Sequence, residues 1–266
     1  MRGIDLVERF EKFAPKQIAV EHDPIGLQIG DLNRPVHRVM TTLDVRPEVV
    51  VEAIDNHVDF IFAHHPVMFR PAKNLDLTIP QNEMYAQIIK HDITVYAAHT
   101  NLDDADGGMN DWLADAVGIQ NPVGLVDLGT TENPFSMGRI GDLSAPTTVM
   151  ELAEKCKQIF DIDGLRLVSN QPDQVVQRVA ILGGDGGKFF PVAQTKGAQV
   201  YITGDVYYHT GHDMLSAGLN VIDPGHNIEK ICIPKLAKLF NAWATENDWS
   251  IEVLESKVNT DPYTFI

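Results

Sequence analysis

Cysteine is nearly absent from this sequence. The chain has 266 residues and two cysteines, Cys156 and Cys232. Neither belongs to a CxxC pair, so no disulfide framework and no thiolate metal site is expected. Basic residues are also scarce, with 21 Lys and Arg against 37 Asp and Glu, for a formal net charge of -16. Such a surface repels a phosphate backbone, which argues against nucleic acid as a partner. No apolar run approaches the length of a transmembrane helix. The acids in MRGIDLVERFEKFAPKQIA interrupt the run that a signal peptide needs. These absences make a cytoplasmic protein without membrane attachment the expectation.

What is present reads as an α/β protein. Leu6, Val7, Phe10 and Phe13 recur at helical spacing before Pro15. VHRVMTTLDV, VDFIFAHHP and ITVYAAHTNLDD read as strands running into polar ends, with RPEVVVEAIDNH and NEMYAQIIKHD as helices between them. GGMNDWLADAVG reads as a helix with Gly118 as its C-cap. Residues 121–145 are glycine-rich and read as a loop crossing into a second lobe. TTVMELAEKCKQIF then reads as a helix capped by threonine, followed by further strands and helices. NIEKICIPKLAKLFNAWATEN reads as one long amphipathic helix, and SIEVLES as the closing strand. Alternating strands and helices predict largely parallel sheets. The expected division is residues 1–125 with 223–266 as one α/β lobe and 126–222 as a similar second lobe.

An internal echo supports two lobes. The 28 residues from Val39 resemble those from Val179 without a gap, at a constant offset of 140. Asp44 then falls on Gly184, and His64–His65 on Gly204–Asp205. VYAAHTNLD, ending at Asp103, loosely resembles VIDPGHNIE, ending at Glu229. Two unrelated β-α-β units also look somewhat alike, but the repeated ending of strand, histidine and acid favours a duplication.

The polar residues at these strand ends carry the chemistry. His64 and His65 close an apolar strand, where open α/β sheets place their ligands. Adjacent strand residues face opposite sides, so both rings serve one metal only if the backbone turns there, and they serve two adjacent metals more easily. The alternative is a pair of surface or hydrogen-bonded histidines. Asp103 lies in a polar exit that could equally be an ordinary turn. His226 and Glu229, three apart, share a face and can converge on one ion, or form a helix-capping arrangement instead. Five N/O ligands exceed what one tetrahedral zinc needs and suit two ions. Without thiolates, the set favours Zn, Fe, Mn, Co or Ni. His99, Asp205 and His212 also lie at strand ends, in orienting or plain structural roles. Asp104, beside Asp103, is expected to be solvated.

GLQIGD, FIFAHHP, AAHTNLDDADGGMND, YITGD followed by His212, and DPGHNIEK span nearly the whole chain. Together they resemble the GTP cyclohydrolase 1 type 2 homologues, also called the Nif-three-like family. The resemblance implies two intertwined α/β repeats with a dimetal centre in the cleft between them, and a ring-shaped homohexamer. It assigns the metal to His64, His65, Asp103, His226 and Glu229. Two departures stand out. Some relatives carry an inserted domain for which this chain has no room, and some place four rather than three steps between the last histidine and the glutamate. No GxxxxGK[ST] phosphate loop is present. The expected function is metal-dependent hydrolysis of a cyclic amidine or nucleotide, as in a GTP cyclohydrolase, or of a phosphoester. His99 or His212 would carry the proton. The alternative is a non-enzymatic protein that stores or delivers metal, or a scaffold.

Overall fold

The computed structural model describes residues 1–132 and 134–266. Its helices are α1 (Gly3–Phe13), α2 (Pro47–Asp55), α3 (Pro80–Lys90), α4 (Thr100–Asp104), α5 (Met109–Val117), α6 (Val149–Phe160), α7 (Phe190–Thr195), α8 (Tyr208–Ser216) and α9 (Cys232–Glu246). Its strands are β1 (Gly26–Ile29), β2 (Arg38–Thr42), β3 (Phe60–Ala63), β4 (Thr94–Ala97), β5 (Ile119–Asp127), β6 (Ser136–Thr148), β7 (Arg166–Val168), β8 (Val175–Asp185), β9 (Val200–Gly204), β10 (Asn220–Asp223) and β11 (Glu252–Glu255). Two compact units result, residues 1–102 with 232–260 and residues 103–231 with 261–266. The first cut falls earlier than residue 125 because α5 packs on β5, β6 and β8. The division leaves His64 and His65 in the first unit and Asp103, His226 and Glu229 in the second.

The first unit holds a sheet of order β1-β4-β3-β2-β11, parallel except where β1 joins its edge. β3 is buried along its whole length, as the unbroken run FIFA demands for a strand covered on both faces. On one face Phe62 meets Phe10, Phe240 and Tyr96 at ring-centroid distances of 4.7, 4.9 and 5.3 Å. On the other, Ile61 and Ala63 join Val49, Val50 and Ala53 of α2 and Ile88 of α3 in one apolar cluster. This packing fixes β3 and so the point at which the chain leaves it, at His64.

The second unit holds a mixed sheet of order β5-β6-β8-β9-β10-β7. Only β8, β9 and β10 run parallel, which corrects the expectation of largely parallel sheets. The glycine-rich stretch read as a loop is mostly the antiparallel pair β5–β6. Its glycines mark close strand contacts, since a Cβ on Gly141 would lie 2.8 Å from the Gln120 carbonyl oxygen. The register also shifts between Gln120 and Val123, where Pro122 sits on an edge strand. Asn133, within the same stretch, lies outside the described residues. α6 starts at Thr148, whose side chain accepts the Glu151 amide in a capping box, and α5 ends at Gly118 in the left-handed region, φ 91°.

The offset of 140 reappears in the hydrogen bonding of the two units. Val39 pairs with Phe60 between β2 and β3, and Val179 with Val200 between β8 and β9. Asp59 accepts the His37 and Arg38 amides at 2.7 and 2.8 Å. Gln199 accepts the Gln177 and Arg178 amides at 2.8 and 3.0 Å.

Candidate metal centre

In the first unit the polar ends of β3 and β4 meet. The His64 and His65 amides donate to the Thr42 and Leu43 carbonyls, and the strand stops there. The turn lets neighbouring side chains converge. The His64 and His65 rings lie 4.9 Å apart, and His99, just past β4, stands 5.3 and 5.5 Å from them. One ligand atom from each of the three histidines falls within 4.8 Å of the other two, a spacing that could hold a metal ion.

Each of these rings is held through Nδ1. That of His64, a fully buried residue, is 2.8 Å from the Ala98 carbonyl oxygen, to which it donates. Nδ1 of His65 is 2.7 Å from Asp44, and that of His99 is 2.9 Å from Asp23. Fixing Nδ1 selects the tautomer whose Nε2 lone pair can bind an ion, the usual arrangement around metal-bound histidine. The donor set therefore fits a borderline divalent metal.

The two orienting carboxylates are electrostatically prepared. Burial alone would raise the pKa of Asp44. The hydrogen bond and charge of His65, the Thr260 hydroxyl and the charge of His64 outweigh that effect and hold it below its ordinary value. Burial likewise opposes ionisation of Asp23, but His99 and the Thr100 hydroxyl and amide win, again lowering it.

In the second unit β10 leads through Pro224 and Gly225 into a 3-10 turn, His226–Ile231, and α9 starts only at Cys232. The single long helix expected here is thus two elements. The tighter turn serves the motif, because residues i and i+3 eclipse in a 3-10 helix. His226 Nε2 stands 3.2 Å from Glu229 Oε2, and Nδ1 is 2.7 Å from Asp205. Asp223, itself buried, accepts the Val206 amide on one oxygen and the Gly225 amide on the other. It thereby fixes the residues next to Asp205 and His226. Burial raises its pKa, and these amides and Arg166 only partly offset that.

Asp103 is positioned by Asn110, whose side chain donates to the Asp103 carbonyl and accepts the Gly183 amide. Gly183 in turn lies against Glu229, where a Cβ would come within 2.7 Å of Oε1. Asp104 is not solvated as expected. It is 1% exposed, at the end of α4 in a stretch where Leu102 and Ala105 are buried as well. His212 lies on α8 with its ring 4.8 Å from Tyr208, and with Arg166 and Tyr207 it lines a cavity of about 280 Å³. Asp44, Asp23 and Asn110 escaped sequence reasoning. Asp44 had a signal, as the first acid after an apolar strand in the echoed segment, while Asp23 and Asn110 had none.

Gly184 and Gly204 stand 140 residues after Asp44 and His64, and both are closely packed. A Cβ on Gly184, with φ 61°, would meet Glu229 Oε1 at 3.2 Å and His226 Nε2 at 3.4 Å. A Cβ on Gly204 would lie 2.9 Å from the His226 amide nitrogen and the Gly225 carbonyl carbon. Those contacts are backbone and cannot swing away. Gly204→Ala should cost about 1–3 kcal/mol of stability, as overpacking does, and weaken divalent-metal binding by displacing His226. Thermal unfolding and zinc titration check this, and an unchanged melting temperature would disprove the close packing.

Fold and site together define an α/β protein with a histidine cluster able to hold a metal. Residues 1–262 match the family Duf34/NIF3 (NGG1p interacting factor 3). A Streptococcus pneumoniae protein named GTP cyclohydrolase 1 type 2 homolog is 45% identical over the full length of both chains. A Listeria innocua protein of the same name is 35% identical, covering 99% of this chain and 98% of its own. That alignment runs over 368 residues against the 266 here, so the Listeria protein carries a long segment that this chain lacks. The crystal structure of a Bacillus cereus protein related to NIF3 superposes with a TM-score of 0.96 at 31% identity, covering 100% of this chain and 99% of that one. The chain belongs to the Duf34/NIF3 family. Among the described residues, no helix is long and apolar enough to cross a membrane.

Proposed function

We propose that the chain is a cytoplasmic metal-dependent hydrolase of two duplicated lobes whose two divalent ions are held by His64, His65, Asp103, His226 and Glu229. The observation that carries this reading is the anchoring of Nδ1 in His64, His65 and His226, which leaves Nε2 as the ring nitrogen that would bind an ion. The shared register at an offset of 140 supports the duplication. The names of the relatives support a cyclic amidine or nucleotide substrate, with a phosphoester as the other class. When bound, the ions would supply Lewis acidity that activates water and polarises the electrophilic carbon or phosphorus. In this reading the protein works as a homohexamer.

His99 is the proton carrier in this proposal. Asp23 fixes its Nδ1 and leaves Nε2 to give and take a proton beside His64 and His65. His212 would serve at the periphery, being exposed on α8. His99→Ala should lower turnover by about 100-fold or more, the usual scale for a general acid or base, with full metal content. His212→Ala should lower it less. Loss of metal in His99→Ala would make His99 a ligand instead. The reading as a whole is tested by screening metal-loaded protein against nucleotides, cyclic amides and phosphoesters. Hydrolysis of one class supports it. If none is hydrolysed while the ions pass readily to an acceptor protein, metal delivery replaces it.

A further inference from the structure

The segment after β11 has no regular structure, yet it is tied down residue by residue within the first unit. The Ser256 amide donates to the Thr41 carbonyl. The Ser256 hydroxyl and the Lys257 amide donate to the two carboxylate oxygens of Glu52 on α2, at 2.6 and 2.8 Å. Val258 packs against the apolar cluster under α2. The Thr260 hydroxyl then donates to Asp44 Oδ2 at 2.5 Å. The other oxygen of Asp44 accepts from His65 Nδ1 at 2.7 Å.

A carboxylate that orients a histidine needs its own second oxygen held. Otherwise it rotates about its Cβ–Cγ bond and the ring follows it. Asp44 follows β2 and precedes α2, so no regular element immobilises its side chain. The strap supplies that restraint. Two of its contacts are to Glu52 on α2, the helix that follows Asp44, so strap and acid are referenced to the same element.

We propose that Thr260 is a positioning residue for the metal centre, its hydroxyl holding Asp44 so that Asp44 sets the ring of His65. The proposal rests on the reading of His65 as a metal ligand. It predicts that affinity for the ion depends on a hydroxyl near the C-terminus that touches no metal. Partners of metal ligands typically change affinity by about 10–100-fold when lost.

The test is zinc affinity of the full chain, measured by competition with a chromophoric chelator, alongside thermal unfolding of the zinc-free proteins. Thr260→Val keeps the shape and removes the hydroxyl. It should weaken zinc binding by about tenfold or more without moving the zinc-free melting temperature. Thr260→Ser should restore wild-type affinity. His65→Ala and Asp44→Asn run beside them. If both weaken zinc binding and Thr260→Val does not, the role of Thr260 is overturned while the site stands. If His65→Ala leaves affinity unchanged, the underlying metal reading falls and this proposal with it. A fall in zinc-free melting temperature that accompanies the lost affinity, without rescue by serine, would make Thr260 a merely structural contact.

Discussion

His226→Ala should weaken divalent-metal binding by more than about 100-fold, beyond the usual cost of losing a group that only orients a ligand. It should do so with little loss of zinc-free stability. The side chain is 37% exposed and contributes little buried apolar area. The carboxylates Asp205 and Glu229 are among its partners. Removing the imidazole takes away the ring that Asp205 and Glu229 hold from its two nitrogens, and Glu229, at 3% side-chain exposure, keeps its buried place. Isothermal titration with zinc and a thermal melt of the chelator-treated protein would separate the two effects. Equal zinc affinity in the variant and the parent would remove His226 from the site. A large fall in zinc-free stability would show that its role is packing.

Phe62→Ala should destabilise the chain by about 3–5 kcal/mol, the range for a buried phenylalanine cut to alanine. The ring is fully buried and meets three other aromatic rings, Phe10 from α1, Tyr96 from β4 and Phe240 from α9. A cavity there has aromatic neighbours that cannot collapse without moving α1, α9 or β4. Small domains are stable by only about 5–15 kcal/mol, so much of the fold's margin would go. Because Phe62 lies two residues before His64 on β3, metal affinity should fall as well. Urea unfolding gives the stability, and a loss under about 1 kcal/mol would mean that the ring is poorly packed, contrary to the large-to-small rule.

What could be read in the sequence was whatever depended on neighbours along the chain. The run FIFA followed by two histidines places His64 at a strand end, and the structure ends β3 at Ala63. DPGH after VI likewise places His226 beyond β10. The periodicity of Leu6, Val7 and Phe10 gives α1, whose core-facing residues are these three with Gly3. What could not be read depended on contacts between distant residues. Gly124, Gly138 and Gly141 suggested a loop because glycine is a turn signal, yet in β5 and β6 it permits close strand approach. The 3-10 turn at His226 hid inside a helical pattern because the two share their spacing over one turn. Asp23 lies 76 residues from His99, and Asp44 216 residues from Thr260, so no local pattern joins them.

The sequence echo between the two units is the instructive intermediate. Its offset was legible because Val39 and Val179 open matching runs, and the pairing registers of both units follow it. Its chemistry was not, because the second unit carries glycine where the first carries Asp44 and His64. Only the positions of Glu229 and His226 beside Gly184, and of the His226 backbone against Gly204, explain why a side chain is absent at each.

In the proposed reading two divalent ions bind per chain through His64, His65, Asp103, His226 and Glu229. Crystals grown with zinc and measured at the zinc absorption edge test it most directly. Two anomalous peaks per chain are expected, separated by the roughly 3.5–4 Å of two-metal sites, with those five residues as their protein ligands. A single peak, or peaks whose ligands exclude His226 and Glu229, would contradict it.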